Sequence, residues 1–328
     1  MGRARNLRLP CAPLHESLPA VTTSIWFWIA FHIGVFIAIG IDLFTFHQRG
    51  RELSMTAAAR RSVLWVLVSL GFNALVWRIK GPHHGLDFFT GYLIEYSLSM
   101  DNIFVFVLIF AHFRVPPRAQ HRVLVWGIIG ALIMRGTMIL GGIVLVGEFH
   151  FVLYFFGSLL LLNAFRMLFG NAMQRDFGQS WLVRVPMRLF RITPEFHGEH
   201  FKARVGGQWM LTRLAFAMLV IEMSDLLFAI DSIPAVFAIT RDPFIAYTSN
   251  ICAILGLRSL YFLLANLMDR FLYLRAGLGV ILGFIGLKMI LSDFYPVPTI
   301  LSLGVILFVL AVVIGVSILV THRRESSS

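Results

Sequence analysis

Long apolar runs, interrupted by short polar segments, occupy most of this 328-residue chain. An α-helix needs roughly 17–25 mostly apolar residues to cross the hydrocarbon core of a bilayer. Nine runs reach that length, so the pattern predicts an all-α polytopic membrane protein with nine transmembrane helices. The predicted spans cover about 22–44, 62–79, 87–110, 123–146, 149–169, 210–238, 244–267, 276–292 and 297–320.

The order of runs and breaks predicts a single integral membrane domain over 1–328. Two groups of three spans lie between the first two spans and the last one, and an Arg-rich loop separates the groups. The predicted segments are an external N-terminal tail (1–21), spans 1 and 2 (22–79), repeat one (87–169), a basic cytoplasmic loop (170–209), repeat two (210–293), the last span (297–320) and a cytoplasmic tail (321–328).

Composition supports a membrane protein and adds an orientation. Only 14% of the residues are charged and the mean hydropathy is +0.80, whereas soluble domains carry about 25% charged residues. One predicted side of the membrane carries 17 Lys and Arg, and the other carries six. Positive residues favour the cytoplasmic side, so we expect a bacterial inner-membrane protein with its N-terminus outside and its C-terminus inside. This distribution accounts for the net charge of +11 without nucleic-acid binding.

Acidic and amide side chains interrupt two of the apolar runs, the third and the sixth. A carboxylate in the hydrocarbon core is costly, so an acid inside a span is by default a functional-site hypothesis. The set offers hard oxygen donors and no cysteine, which suits Mg²⁺, Ca²⁺ or Mn²⁺ better than copper or zinc. The candidate metal-handling residues are Glu95, Asp101, Asn102, Glu222, Asp225, Asp231 and Ser232.

A proline in the sixth span predicts a local opening of the helix. Pro234 has no N–H to offer, so the carbonyl of Ile230 loses its usual helical partner. We therefore expect the helix to kink or open beside Asp231. A broken helix exposes backbone carbonyls that can themselves bind a cation.

Spans 3–5 and spans 6–8 share a spacing of similar residues. Spans 3 and 6 each contain two acids six residues apart, and spans 4 and 7 each contain a central arginine, Arg135 and Arg258. Two three-span units in tandem begin on opposite faces of the membrane, so the predicted repeat is inverted. Transporters with inverted repeats bind their substrate near the midplane, where the repeats meet.

The intramembrane acids also have a purely structural interpretation. They could form ion pairs with Arg135 and Arg258 and hold helices together. Five carboxylates against two arginines leave an excess of acid, which favours a path for cations or protons. Asp42, at the cytoplasmic end of the first span, is either a gating residue or an ordinary interfacial acid. His83 and His84 are predicted to lie in an external loop.

The segments around these acids read Glu95-Tyr-Ser-Leu-Ser-Met-Asp101-Asn102 and Asp225-Leu-Leu-Phe-Ala-Ile-Asp231-Ser-Ile-Pro234-Ala. They resemble the two signature segments of the TerC family of integral membrane proteins, in its Alx-type branch. The resemblance covers about 25–320 and implies a manganese exporter related to LysE-type transporters, with a link to tellurium resistance. It also implies that the seven candidate residues above handle the metal. Tellurite is an anion, so an acid-lined path is a poor route for it.

The sequence therefore predicts a transporter, not an enzyme, that exports Mn²⁺ or a similar divalent cation from the cytoplasm. The cation is the substrate, no cofactor is bound permanently, and protons are the expected counter-ion. The alternative is a non-transport stress or assembly factor whose acids are structural. An intramembrane aspartyl protease would also need two aspartates on different spans, and such enzymes are expected to contain a Gly-x-Gly-Asp segment. It is disfavoured here, because Gly277-Leu278-Gly279 is followed by Val280 and not by aspartate. The sequence does not predict an oligomeric state.

Overall fold

The structure is a computed structural model that describes residues 24–47, 55–149, 151–169, 190, 192–193, 198, 200–205, 207–265, 273–292, 294–295 and 297–325. Within these ranges the chain forms ten α-helices and one β-hairpin. In chain order they are α1 (Ile25–His47), α2 (Met55–Lys80), α3 (Pro82–His112), α4 (Pro117–Glu148), α5 (Phe151–Phe169), β1 (Lys202–Val205), β2 (Gln208–Leu211), α6 (Arg213–Phe237), α7 (Pro243–Leu255), α8 (Leu257–Leu264), α9 (Leu274–Ile290) and α10 (Thr299–Glu325). The N-terminal tail and most of the predicted basic loop lie outside the described residues.

Six of the described helices are long and apolar enough to cross a membrane, namely α1 to α5 and α10. A seventh span results if α7 and α8, which are bent by 42° relative to each other, count as one. Helix α6 has 25 residues but carries three acids, and α9 is shorter, with 17 residues. These lengths and compositions give an all-α polytopic membrane protein. The count of nine spans stays a prediction.

Helix α3 begins earlier than the predicted third span. Gly81, with a φ of 96°, is the single residue between α2 and α3, and Pro82 occupies the first position of α3. Proline suits that position because the first N–H groups of a helix have no partner within it. His83 and His84 therefore lie in the first turn of a helix, and the prediction that they lie in a loop was wrong.

A short hairpin precedes α6, within and just after the segment predicted as a basic loop. Strand β1 pairs antiparallel with β2, with Lys202 opposite Leu211. Thr212 then caps α6, because its hydroxyl accepts a hydrogen bond from the Ala215 N–H at 3.3 Å. The apolar residues at the start of the sixth predicted span thus belong to the end of β2 and not to the helix.

The broken helix occurs at a different place from the one predicted. Helix α6 continues through Pro234 and ends three residues later, at Phe237. The seventh predicted span is the one that breaks, at Gly256, where α7 ends and α8 begins. Arg258 lies in the first turn of α8, so this break determines the position of a buried charge.

The centre of the bundle is built by α3, α4, α6 and α7, in which α3 and α4 each pack against both α6 and α7, while α5 packs along α9. Small residues allow the α5–α9 approach. A Cβ added at Gly286 would lie 2.9 Å from the carbonyl oxygen of Gly157, and a Cβ added at Gly157 would lie 3.0 Å from the carbonyl oxygen of Gly286. Membrane helices associate largely through such close packing, since lipid tails are as apolar as the helices themselves.

Replacing Gly286 with alanine should weaken the α5–α9 contact, because its methyl group would force the two backbones apart. Overpacking of this kind costs about 1–3 kcal/mol, so we expect a lower thermal unfolding midpoint for the detergent-purified protein. Gly141→Ala in α4 is the matched control, since nothing lies within 4 Å of that Cβ position. Equal midpoints for the two variants would contradict this packing.

Candidate functional site

A buried arginine lies where the four central helices meet. Arg135, on α4, is fully buried with 0% of its surface exposed. Its Nη2 and Nε donate to the two carboxylate oxygens of Asp225, on α6, at 2.9 and 3.2 Å. Its Nη1 donates to Oε1 of Glu95, on α3. One guanidinium thus binds two carboxylates from two helices, and such charge-assisted bonds are among the strongest hydrogen bonds in proteins.

Two amides extend this cluster to α7 and along α3. Arg135 Nη1 also donates to Oδ1 of Asn250, on α7, at 3.4 Å. Asn102, on α3, donates from Nδ2 to Oδ1 of Asp225 at 3.4 Å. Both amides and both acids are buried. We call this set, Glu95, Asn102, Arg135, Asp225 and Asn250, the Arg135 cluster.

The surroundings of the Arg135 cluster contain polar atoms that the described residues leave without a hydrogen-bond partner. They are Oε2 of Glu95, Nδ2 of Asn250 and the hydroxyl of Ser99; the hydroxyl of Ser232, seven residues beyond Asp225 on α6, also lacks a partner. Ser99 lies one helical turn from Glu95, so the two share a face of α3. Buried polar groups nearly always have a partner. The Glu95 oxygen and the Ser99 hydroxyl are acceptors that suit water or a cation, whereas the Asn250 N–H group suits an acceptor such as water.

Glu222 occupies a different position from the other described acids of α6. Its carboxylate lies against Gly130 of α4, where an added Cβ would overlap it. It also lines a cavity of about 20 Å³ that Asp225 and Arg258 line as well. That volume holds one water-sized particle. Glu222 has no hydrogen bond or ion pair with any of the described residues, in contrast to Glu95 and Asp225.

The second buried arginine pairs with the first helix. Arg258 Nη2 lies 2.5 Å from Oδ2 of Asp42, on α1, and 3.2 Å from the Asp42 carbonyl oxygen. Arg61, on α2, lies 4.0 Å from Asp42. His121 Nε2, on α4, lies 3.4 Å from Arg258 Nη1. These contacts join one end of α1 to the break between α7 and α8, on one side of the cavity that Glu222 lines.

The structure brings together some of the predicted site residues. Glu95, Asn102 and Asp225 meet at Arg135, Glu222 lies beside them, and Ser232 is buried further along α6. The backbones of Asp101 and Asp231 lie in α3 and α6, but their side chains lie outside the described part of the structure. Among the described residues, no group of three or more His, Cys, Asp or Glu has the arrangement of a metal site. The predicted metal-handling role stays a prediction.

The two predicted ion-pairing arginines differ in their partners. Arg135 pairs with acids of the predicted site, whereas Arg258 pairs with Asp42 of the first helix. Sequence reasoning missed Asn250 and Ser99 as members of this region. The available signal was weak: each is a single amide or hydroxyl in an apolar run, and such residues usually serve as contacts between membrane helices.

These elements define a class, a polytopic helical membrane protein with a buried cluster of carboxylates, amides and arginine at its centre. The model of the integral membrane protein TerC family matches residues 80–325, and the chain belongs to this family.

Several relatives match nearly the whole chain. An uncharacterized membrane protein of Myxococcus xanthus is 43% identical over 312 residues, 95% of this chain and 98% of its own. Two relatives carry the name "putative membrane-bound redox modulator Alx". The one from Salmonella typhi is 43% identical over 91% of this chain and 95% of its own, and the one from Escherichia coli K12 is 42% identical over 91% and 96%. No solved structure matches the chain.

Replacing Arg135 with glutamine should strongly destabilise the protein, because two buried carboxylates would lose their cation. Breaking a buried ion pair typically costs about 3–5 kcal/mol. We expect a lower thermal unfolding midpoint and a lower yield of folded protein in detergent. The triple variant with Glu95→Gln and Asp225→Asn should recover much of the loss, since neutral amides need no counter-charge.

Arg166→Gln is the control for the loss of a positive charge, because Arg166 is exposed in the last turn of α5. It should unfold like the unmodified protein. The cluster would have no structural role if Arg135→Gln were as stable as Arg166→Gln.

Proposed function

We propose that this protein is a membrane transporter that exports a hard divalent cation, Mn²⁺ above all, from the cytoplasm. The observation that carries the proposal is the position of Glu222. It is a carboxylate in a helix of a membrane protein, it lines a cavity, and none of the described residues forms an ion pair or hydrogen bond with it. Acidic side chains within membrane-spanning helices are costly to bury and by default mark ion pathways.

The pairing of charges around Arg135 sharpens this assignment. Arg135 neutralises part of the charge of Glu95 and Asp225, so their main work is to join α3, α4 and α6. Glu222 is the nearby described acid that keeps its charge available. We propose that its oxygens act together with those of Asp101 on α3 and Asp231 on α6. Such carboxylate oxygens are a donor set suited to Mn²⁺.

We propose that the Asp42–Arg258 ion pair controls access to the cavity. Arg258 lines the cavity with Glu222 and at the same time holds Asp42 of α1. Asp42 belongs to the end of α1 that the distribution of Lys and Arg assigns to the cytoplasm. Separation of this pair would move α1 away from the α7–α8 break, and we propose that it opens the cytoplasmic entrance.

Alternating access would follow from an inverted repeat of α3–α5 and α6–α9 within a nine-span protein. In such a repeat α3 corresponds to α6, α4 to α7 and α5 to α9. A two-fold relationship between the halves then requires that a contact of α3 with α7 is matched by one of α6 with α4, and it allows α5 to meet its own counterpart α9. Both packing relationships are present and support the proposal. In this scheme the halves rock about the central acids, and proton antiport drives export, because the same carboxylates can hold either protons or metal.

Inside-out membrane vesicles provide the test, since export from the cytoplasm becomes uptake into the vesicle. Glu222→Gln should lower the initial rate of Mn²⁺ uptake by about tenfold or more, as expected when an essential ligand is lost. Glu148→Gln is the matched control, an exposed acid at the end of α4, and should transport normally. Uptake by Glu222→Gln at the normal rate, with equal amounts of folded protein, would refute the proposal.

A second candidate is a non-transport membrane factor whose acids serve only structure. The triple contact of Arg135 with Glu95 and Asp225 favours it, because these acids act as a helix joint. The relatives named as redox modulators give this alternative a biological setting. Vesicles containing the unmodified protein that take up none of Mn²⁺, Ca²⁺, Mg²⁺, Zn²⁺ or Fe²⁺ would favour this alternative over transport.

A further inference from the structure

An apolar groove runs along the inner face of α1, on the opposite side of α7 from the Arg135 cluster. It has a volume of about 330 Å³ and lies between α1, α2 and α7. Small residues of α1, Ala30, Gly34 and Ala38, form one wall, and Val68 and Phe72 of α2 are part of the other. Its lining is almost wholly apolar, and the exception is Lys80 at one end.

Helix α1 is fastened to the bundle beside the outer part of this groove and again beyond its inner end. In its first turns, Trp28 and Phe31 pack against the ring of Phe244, and His32 bonds the Tyr247 hydroxyl at 2.9 Å. Towards its other end, past the groove lining, Asp42 binds Arg258. Beside these attachments α1, α2 and α7 leave a space, and leaving it unfilled would forfeit the dispersion energy of its walls.

The dimensions of the groove fit one acyl chain of one leaflet. Its lining on α1 extends from Phe27 to Ala38. Eleven helical steps span about 16 Å at ~1.5 Å per residue. That is about half of the ~30 Å hydrocarbon core, and therefore the depth of a single leaflet.

Lys80 lines one end of the groove, and two further cations are close to that end along the chain. Arg78 and Lys80 lie in the last turn of α2, and Arg241 directly precedes Asp242 at the start of α7. Asp242 accepts a hydrogen bond from Lys80 at 2.6 Å, so one acid offsets one of the three cations. Arg78 and Arg241 are both exposed. Exposed arginines at the edge of the membrane suit a phosphate group, which they can bind with two hydrogen bonds.

We propose that the groove between α1, α2 and α7 is a binding site for one anionic phospholipid, with an acyl chain along Ala30, Gly34 and Ala38 and its phosphate at Arg78 and Arg241. The lipid fills the space that α1, α2 and α7 leave between them and so supports α1 against the bundle. Its binding is measured without transport, so the site stands or falls separately from the proposed export.

Native mass spectrometry of the full-length protein in detergent tests this site, with dioleoylphosphatidylglycerol and dioleoylphosphatidylcholine added in separate titrations. The unmodified protein should retain one phosphatidylglycerol per chain. Gly34→Trp, which fills the groove, should weaken retention about tenfold, equal to about 1.4 kcal/mol of binding free energy. Gly40→Trp is the matched control: both glycines lie on α1 with nothing within 4 Å of the Cβ position, but Gly40 is outside the groove lining.

The headgroup contact has its own test, which also serves if Gly34→Trp fails to accumulate. The double variant Arg78→Gln with Arg241→Gln should lose the preference for phosphatidylglycerol over phosphatidylcholine. Equal retention by Gly34→Trp and Gly40→Trp would overturn the groove as the site. Equal retention of the two lipids by the unmodified protein would overturn the headgroup assignment. A dimer that Gly34→Trp abolishes would show that a second copy of the chain occupies the groove instead.

Discussion

The structure depends on one arginine buried at the centre of a membrane protein. A guanidinium cannot lose its proton under ordinary conditions, and the hydrocarbon around it offers no water to bind the charge. Arg135 therefore requires partners, and it takes them from three helices: Glu95 on α3, Asp225 on α6 and Asn250 on α7. These contacts join the four central helices, so the way in which those four helices meet is constrained by satisfying one charge.

This constraint divides three central acids of α3 and α6 into two kinds. Glu95 and Asp225 hold the helices together, whereas Glu222, three residues before Asp225, faces a small cavity and Gly130. A transported cation must be bound weakly enough to leave, so an acid already bound to arginine is a poor carrier and an unpaired one is a good candidate. The other buried arginine, Arg258, ties the same cavity to Asp42 on α1. The structural joint, the proposed carrier and the proposed entrance thus occupy neighbouring positions along α6 and α8.

Much of this arrangement follows from the sequence, and the exceptions have physical reasons. Apolar runs revealed the helices, and the acids were visible because carboxylates are rare in such runs. Partner choice was not visible, since Arg135 and Arg258 have similar settings in sequence while only the fold brings Asp42 to Arg258. The break at Gly256 was also hidden, because Pro234 is the stronger sequence signal for a break and α6 passes through it three residues before its own end. The hairpin before α6 was missed because its strands are only four residues long.

The most direct test of the division between paired and available acids is a structure of the protein soaked with Mn²⁺, with anomalous scattering recorded at the manganese edge. If Glu222 is the cation ligand, a manganese peak lies within bonding distance of its carboxylate, beside Gly130, while Arg135 still binds Glu95 and Asp225. A peak between Glu95 and Asp225 with Arg135 displaced would contradict it, because those two acids would then be the carriers. Saturating manganese with no peak at any intramembrane acid would contradict the cation site altogether.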